Sequence, residues 1–417
     1  MTIRPTLRTT AAGLALAVTL IAVLAAPVLD AAAQGPASPY RVVGYYPGYG
    51  IYEDYFVTDI PADHLTHVIY ASLMISDNGQ CVSSDPWTDM QVAYPGDQAN
   101  LRLKGNFRQL QLLRGEHPNL KVLISVGGWE HSANFSEVAA SEAARVRFVR
   151  SCVAFMQQYL FDGIDIDWRY PVSGGQVEGL PEDRENFNLL LAEFRTQLDA
   201  AGERDDKPYL LTMLAPAVPE LYENFDLARA QTSLDWINLA TYGFHGAWSD
   251  IASHHAPLYA NERDPRGEEI QDTYNVAAVV EVFLDAGVPA DKLVVGAPLY
   301  AQAWSNVKPN DYFGLYERTS GVPLGTRPGG QLYYRDLLPL LENPGYTQFF
   351  DEETGVPWLY SADERIAISY ENEQSIRGKA MYIRRNELGG LMLWQISYDA
   401  PDGSLIEAAY EALNEVE

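Results

Sequence analysis

The 417-residue chain carries 29 Lys and Arg against 56 Asp and Glu, a formal charge of −27. A surface of that sign repels nucleic acid and anionic membranes, which excludes both as partners, and it suits a neutral polysaccharide or simply solubility in a saline habitat. The length exceeds a usual single core but fits one barrel carrying an insertion.

At the N-terminus, Arg4 and Arg8 precede an apolar run from Ala11 to Val28, and the small residues Ala31, Ala32 and Ala33 follow ahead of Gln34. This is the layout of a secretory signal over residues 1–33. A membrane anchor fits less well, because Thr19 and Pro27 interrupt the run and no basic stop-transfer cluster follows it. Removing 1–33 takes away two Arg and one Asp, so −27 becomes −28. In an oxidising compartment, Cys81 and Cys152 are permitted one disulfide without requiring it, and the sequence leaves their pairing open.

Eight short β-rich runs follow, at Arg41 to Tyr46, His67 to Ser72, Lys121 to Val126, Gly163 to Trp168, Tyr209 to Ala215, Trp236 to Ala240, Leu293 to Pro298 and Gly390 to Trp394. Between them, Asn106 to Gly115, Ser141 to Tyr159, Glu182 to Ala200 and Thr273 to Ala286 space apolar residues by three and four, as amphipathic helices do. Ser141 marks one helix start and Gly202 one helix end. Alternation of strand and helix predicts parallel strands joined by crossovers, and eight of them predict an α/β fold closed into a (β/α)8 TIM barrel. Residues 39–304 and 376–415 are assigned to the barrel. The Gly-, Pro- and Tyr-rich stretch 305–375 is assigned to a small α+β insertion between the seventh and eighth strands, with strands near 347–351, 357–360 and 365–370. No GxGxxG pattern follows the first strand, and Gly127-Gly128 after the third lacks it, so no dinucleotide cofactor is expected.

The run Phe161-Asp-Gly-Ile-Asp-Ile-Asp-Trp-Arg-Tyr-Pro171 carries the chemistry. On a strand, Asp165, Asp167 and Arg169 share one face while Ile164, Ile166 and Trp168 share the other. In a barrel the charged face points inward, near the carboxyl end where barrel enzymes keep their active sites. A solvated edge strand has the same period, but two isoleucines and a tryptophan opposite argue against it.

This run resembles the glycoside hydrolase family 18 signature DGxDxDWEYP at every specified position but one, Arg169, where the family carries its catalytic glutamate. Further segments match in order: Gly44-Tyr45-Tyr46, Ser125-Val-Gly-Gly-Trp129, Tyr242, Gly296-Ala-Pro-Leu-Tyr300 and Gly389-Gly-Leu-Met-Leu-Trp394. The insertion resembles the family's chitinase insertion domain in placement and in Ile368-Ser-Tyr-Glu-Asn372 and Ser375-Ile376.

The resemblance implies cleavage of β-1,4-linked N-acetylglucosamine by attack of the substrate's own acetamido oxygen, outside the two-carboxylate scheme. It implies that Asp167 orients the acetamide, that Asp165 shares charge and a proton with it, that Tyr242 hydrogen-bonds the acetamido oxygen, and that Trp394 floors the sugar. Tyr46, Trp129, Gly243, Tyr300 and Gln302 join Trp394 as substrate-binding candidates. Arg169 cannot replace the acid, because a guanidinium holds its proton up to a pKa above about 12. Loss of general acid–base catalysis lowers rate by on the order of 100-fold to 10,000-fold. With Cα atoms roughly 7 Å apart on one strand, Arg169 and Asp167 are placed to form an ion pair.

Two further departures surround the same pocket: Ala240-Thr-Tyr-Gly243 stands for the family's Met-x-Tyr-Asp, and Tyr300-Ala-Gln302 for its Tyr-Gly-Arg. Glu130 and Glu178 are within sequence reach of the rim as substitute acids, although surface solvation suits both. His245, His254 and His255, near Asp250, lack zinc-type spacing, so no metal is expected. Among the aromatics at strand ends or in the following loops, Tyr46, Trp129, Trp248, Trp304 and Trp394 are placed to stack on sugar rings, with core packing claiming some.

The sequence therefore predicts a secreted, monomeric, chitinase-like protein that binds chitin or N-acetylglucosamine oligosaccharides, with hydrolysis lost or strongly impaired. The alternatives are an active chitinase or endo-β-N-acetylglucosaminidase using another acid, such an enzyme with its acid replaced by engineering, or a scaffold that binds another protein.

Overall fold

A computed structural model describes Met1 and residues 38–415, so the signal segment predicted over 1–33 lies, Met1 aside, outside the described residues. Fourteen strands are present among these: β1 Arg41–Pro47, β2 His67–Ile75, β3 Cys81–Ser83, β4 Lys121–Gly127, β5 Gly163–Asp167, β6 Leu210–Pro216, β7 Trp236–Ala240, β8 Leu293–Pro298, β9 Tyr300–Trp304, β10 Gln331–Tyr333, β11 Thr347–Asp351, β12 Val356–Ser361, β13 Ile366–Ser369 and β14 Gly390–Trp394.

The larger sheet runs β1-β14-β8-β7-β6-β5-β4-β2-β3, and β1 also pairs with β2, which closes the eight parallel strands into a barrel. Short β3 is an antiparallel flap on the extended end of β2. The helices Gly105–Glu116, Glu142–Gln158, Asp183–Asp205, Val276–Asp285, Glu373–Arg385 and Ser404–Asn414 lie in the crossovers and after the last strand. The fold is thus the predicted (β/α)8 barrel.

Strand parity divides the core in two. Val43, Tyr45, Ile69, Leu123, Leu214, Trp236, Val294 and Met392 fill the barrel lumen as one cluster. Their chain neighbours, among them Val42, Tyr46, Val68 and Ile124, belong to the larger layer packed with the helices, as do Ile164 and Ile166 of β5. Each fully buried aliphatic side chain of that layer contributes roughly 1.5–3 kcal/mol. Trp168, just past β5, joins the outer layer, stacked on Phe135 at 5.0 Å between ring centroids.

The second sheet, ordered β10-β9-β13-β12-β11, is antiparallel throughout and lies in sequence between β8 and β14. It begins at Tyr300 rather than at Ser305: Pro298, which has no N–H to donate, is the last residue of β8, and the chain enters β9 two residues on. Cys81 on β3 and Cys152 in the helix Glu142–Gln158 form a disulfide, which settles the pairing that the sequence left open.

Two helices differ from the sequence reading. The helix from Asp183 runs through Gly202 to Asp205 and ends on Asp206 in the left-handed conformation, at φ 51°. The single helix expected over 273–286 is two, Glu268–Thr273 and Val276–Asp285, because Asn275 caps the second, its side chain accepting from Ala278 N. The insertion holds a helix over Tyr334–Leu341 despite Pro339.

Candidate functional site

Asp165 and Asp167 both point into the barrel from β5, one layer apart. Asp165 is fully buried and held by three hydroxyl donors. Tyr45 Oη and Ser125 Oγ donate to its Oδ2 at 3.0 and 2.8 Å, and Thr212 Oγ1 donates to Oδ1 at 2.6 Å. Tyr45 is in turn fixed by Asn238, whose amide donates to its hydroxyl, and Trp236 donates to Asn238. Burial, with the nearby charge of Asp167 adding to it, pushes the Asp165 carboxyl up to about 6 although the hydroxyl donors oppose the rise.

Asp167 lies one layer nearer the mouth and is 3% exposed. Both of its oxygens are taken by Arg169: Nε donates to Oδ1 at 2.7 Å and Nη2 to Oδ2 at 2.9 Å. This is a bidentate, charge-assisted pair. Burial opposes the guanidinium charge, but the carboxylate facing it holds Arg169 above its ordinary pKa. Arg169 N donates to Ser132 Oγ, which bonds Gly128 O and Asp167 O, so the backbone after β5 is tied to the loop after β4. The Arg169 guanidinium also lies over Trp394, its central carbon 5.1 Å from the ring centroid.

Tyr242 sits between Trp394 and Tyr300, 6.4 and 6.2 Å away between centroids. Its hydroxyl is buried without a partner among the described residues, and burial raises its pKa well above the ordinary tyrosine value, so it remains a neutral donor. Gly243 adopts φ +69°, and a Cβ there would stand 3.5 Å from Tyr300 Oη, so side-chain space is open beside it.

Above these residues opens a cavity of about 380 Å³, lined by Asp167, Arg169 and Trp394 at its base and by Tyr49, Trp129 and Glu130 among its walls. Trp129 is 45% exposed. Three other carboxylates line the cavity. Asp85 caps the helix Pro86–Met90 and accepts from Tyr52 Oη; Asp89 is buried against Tyr70 and Ser83 hydroxyls; Glu130 makes no hydrogen bond or ion pair to described residues.

Several expected site residues lie elsewhere. Tyr46 faces the helices, fully buried and stacked on Tyr70 at 5.7 Å, so the tyrosine presented to the lumen is its neighbour Tyr45. Gln302 is buried in β9, its amide donating to Gly329 O at 2.7 Å, and does not line the cavity. Trp304 is core to the second sheet, its indole donating to Gly246 O. Glu178 is exposed and off the cavity lining. His245, His254 and His255 do not line the cavity: His245 lies against Arg266, His254 reaches Asp351 at 3.4 Å, and His255 is buried beside Tyr300. Among the described residues no group of three or more His, Cys, Asp or Glu could hold a metal ion, and no helix is long and apolar enough to cross a membrane. Sequence reading missed Thr212 and Asn238, which inward parity on β6 and β7 would have revealed.

The closed eight-stranded barrel carries two carboxylates at the carboxyl end of one strand, beneath an aromatic-lined cleft, where barrel enzymes keep their active sites. The chain belongs to glycoside hydrolase family 18: the family model described as "Glycosyl hydrolases family 18" matches residues 41–399. It is 38% identical to chitinase A1 of Niallia circulans over 93% of this chain, and it spans 60% of the length of that protein. It is 32% identical to chitinase 1 of Aphanocladium album over 94% of this chain and 90% of that one. Among solved structures, the catalytic domain of psychrophilic chitinase B from Arthrobacter TAD20 superposes with a TM-score of 0.82 at 30% identity, covering 91% of this chain and 97% of that chain.

Proposed function

We propose that this protein is a secreted, monomeric, chitinase-like binder of chitin or other N-acetylglucosamine-containing glycans, with hydrolysis lost or strongly impaired. The observation that carries the reading is the bidentate Asp167–Arg169 pair at the base of the cleft. A guanidinium is not a usable proton donor at neutral pH, and its fixed positive charge is of the wrong sign beside a forming oxocarbenium. The same pair engages the carboxylate whose task would be to orient the acetamide. The rest of the machinery remains: Asp165 within its hydroxyl cage, Tyr242 with an unspent hydroxyl, and Trp394 and Trp129 as surfaces for sugar rings. Secretion is supported by the N-terminal apolar run and by the Cys81–Cys152 disulfide.

One observation favours a second reading, an enzyme with a substitute acid: Glu130 lines the cleft with no described residue bonded to it. Titration calorimetry with chitohexaose beside a reducing-end assay on the same protein separates the two. Binding without turnover supports the glycan-binding reading. Turnover by the unmodified chain that Glu130→Gln abolishes supports the enzyme.

A further inference from the structure

Arg169 makes two contacts that a bound sugar would need for itself. Its Nε and Nη2 hold both oxygens of Asp167, and its guanidinium lies over the indole of Trp394 with the central carbon 5.1 Å from the ring centroid. A pyranose packed on that face of the ring in van der Waals contact would overlap the guanidinium. The side chain is 19% exposed, Asp167 beneath it 5%, and both line the cavity base with Trp394. The base of the cleft is thus filled by the protein, whereas its upper walls, with Trp129 and Tyr49 each more than a third exposed, stay open.

We infer that Arg169 is a built-in plug: its guanidinium stands in for the sugar at the deepest position, so a glycan chain binds only along the outer cleft. The inference rests on the reading of the cleft as an N-acetylglucosamine site. A plug has the opposite signature to a ligand contact, because deleting it exposes the Trp394 face and admits one more sugar. Affinity then rises, and the gain depends on Trp394.

The test is calorimetric titration with chitohexaose of three proteins: wild type, Arg169→Ala, and Arg169→Ala/Trp394→Ala. Arg169→Ala is expected to bind about tenfold more tightly than wild type, the worth of one aromatic stacking contact, and the double variant to lose that gain. Arg169→Ala leaves the Asp167 charge buried without its partner, so thermal melts accompany the titrations. If that variant fails to fold, Arg169→Gln, which shortens the side chain and keeps an amide donor beside Asp167, is titrated instead with the same expectation. Wild-type binding that weakens or stays unchanged on removing Arg169 would overturn the plug while leaving the glycan reading standing. Absence of binding by every folded variant would sink the glycan reading, and the plug with it.

Discussion

Asp167 and Arg169, two residues apart at the end of β5, are joined by two hydrogen bonds of 2.7 and 2.9 Å that consume both carboxylate oxygens. Their pairing neutralises the Asp167 charge and leaves Asp165 as the remaining carboxyl of β5 without a counter-charge. Asp167→Asn keeps the shape but strands the Arg169 charge in a site where its side chain is 19% exposed. Removing one partner of such a pair costs about 3 kcal/mol, measurable as a lowered urea midpoint with unchanged slope.

The Asp165 carboxyl titrates near 6 in the fold against 3.8 when unperturbed. Its folded pKa is raised, so the folded state holds the extra proton between about pH 4 and pH 6. The stabilising contribution is full below the unfolded pKa and is lost as pH rises through 6, by about 3 kcal/mol in all. Asp89 and Asp399 are pushed up to about 6 as well, so the comparison must isolate one group. The stability difference between wild type and Asp165→Asn should shift against wild type as pH goes from 4 to 6; a difference independent of pH contradicts the assignment.

Cys81 and Cys152 stand 71 residues apart in sequence. Closing a loop of that size restrains the unfolded chain by about 4 kcal/mol. Cys152→Ala should therefore show a marked loss in denaturant stability, and adding reductant to the unfolding experiment should lower wild type toward the variant.

Lys379 and Glu371 form a fully buried pair at 2.5 Å, with Lys379 also donating to Ala256 O at 2.9 Å. Lys379→Met alone should destabilise by about 3–5 kcal/mol, because the carboxylate loses its counter-charge. Lys379→Met/Glu371→Leu should recover most of that loss, which a double-mutant cycle in urea would display.

The barrel was legible because eight apolar runs alternated with amphipathic helices, and each run coincides with a barrel strand to within a residue at the ends of β5 and β6. The face of β5 was legible from period two alone, which put Asp165, Asp167 and Arg169 on one side and anticipated the ion pair. Tyr46 shows the limit: consecutive tyrosines offer two parities, and only the register of β1 against β2 and β14 shows that Tyr45 faces in. Gln302 was misplaced for a related reason, since the chain leaves the barrel at Pro298 and residues 300–304 answer to the second sheet. Helix ends went astray where a weak signal met a stronger one: Gly202 lies in a helix whose contacts with its neighbours outweigh its low propensity, and Asn275 caps a new helix. The disulfide needed three dimensions, because no spacing rule brings β3 to a helix 71 residues on in sequence.

The measurement that tests the account most directly is release of reducing ends from chitohexaose by wild type and by Arg169→Glu, assayed side by side at neutral pH. With Arg169 as the reason for lost hydrolysis, wild type should run at least about 100-fold below Arg169→Glu, the share of rate that general acid catalysis supplies. Wild-type turnover equal to that of Arg169→Glu would contradict it and return the chain to the active enzymes of its family.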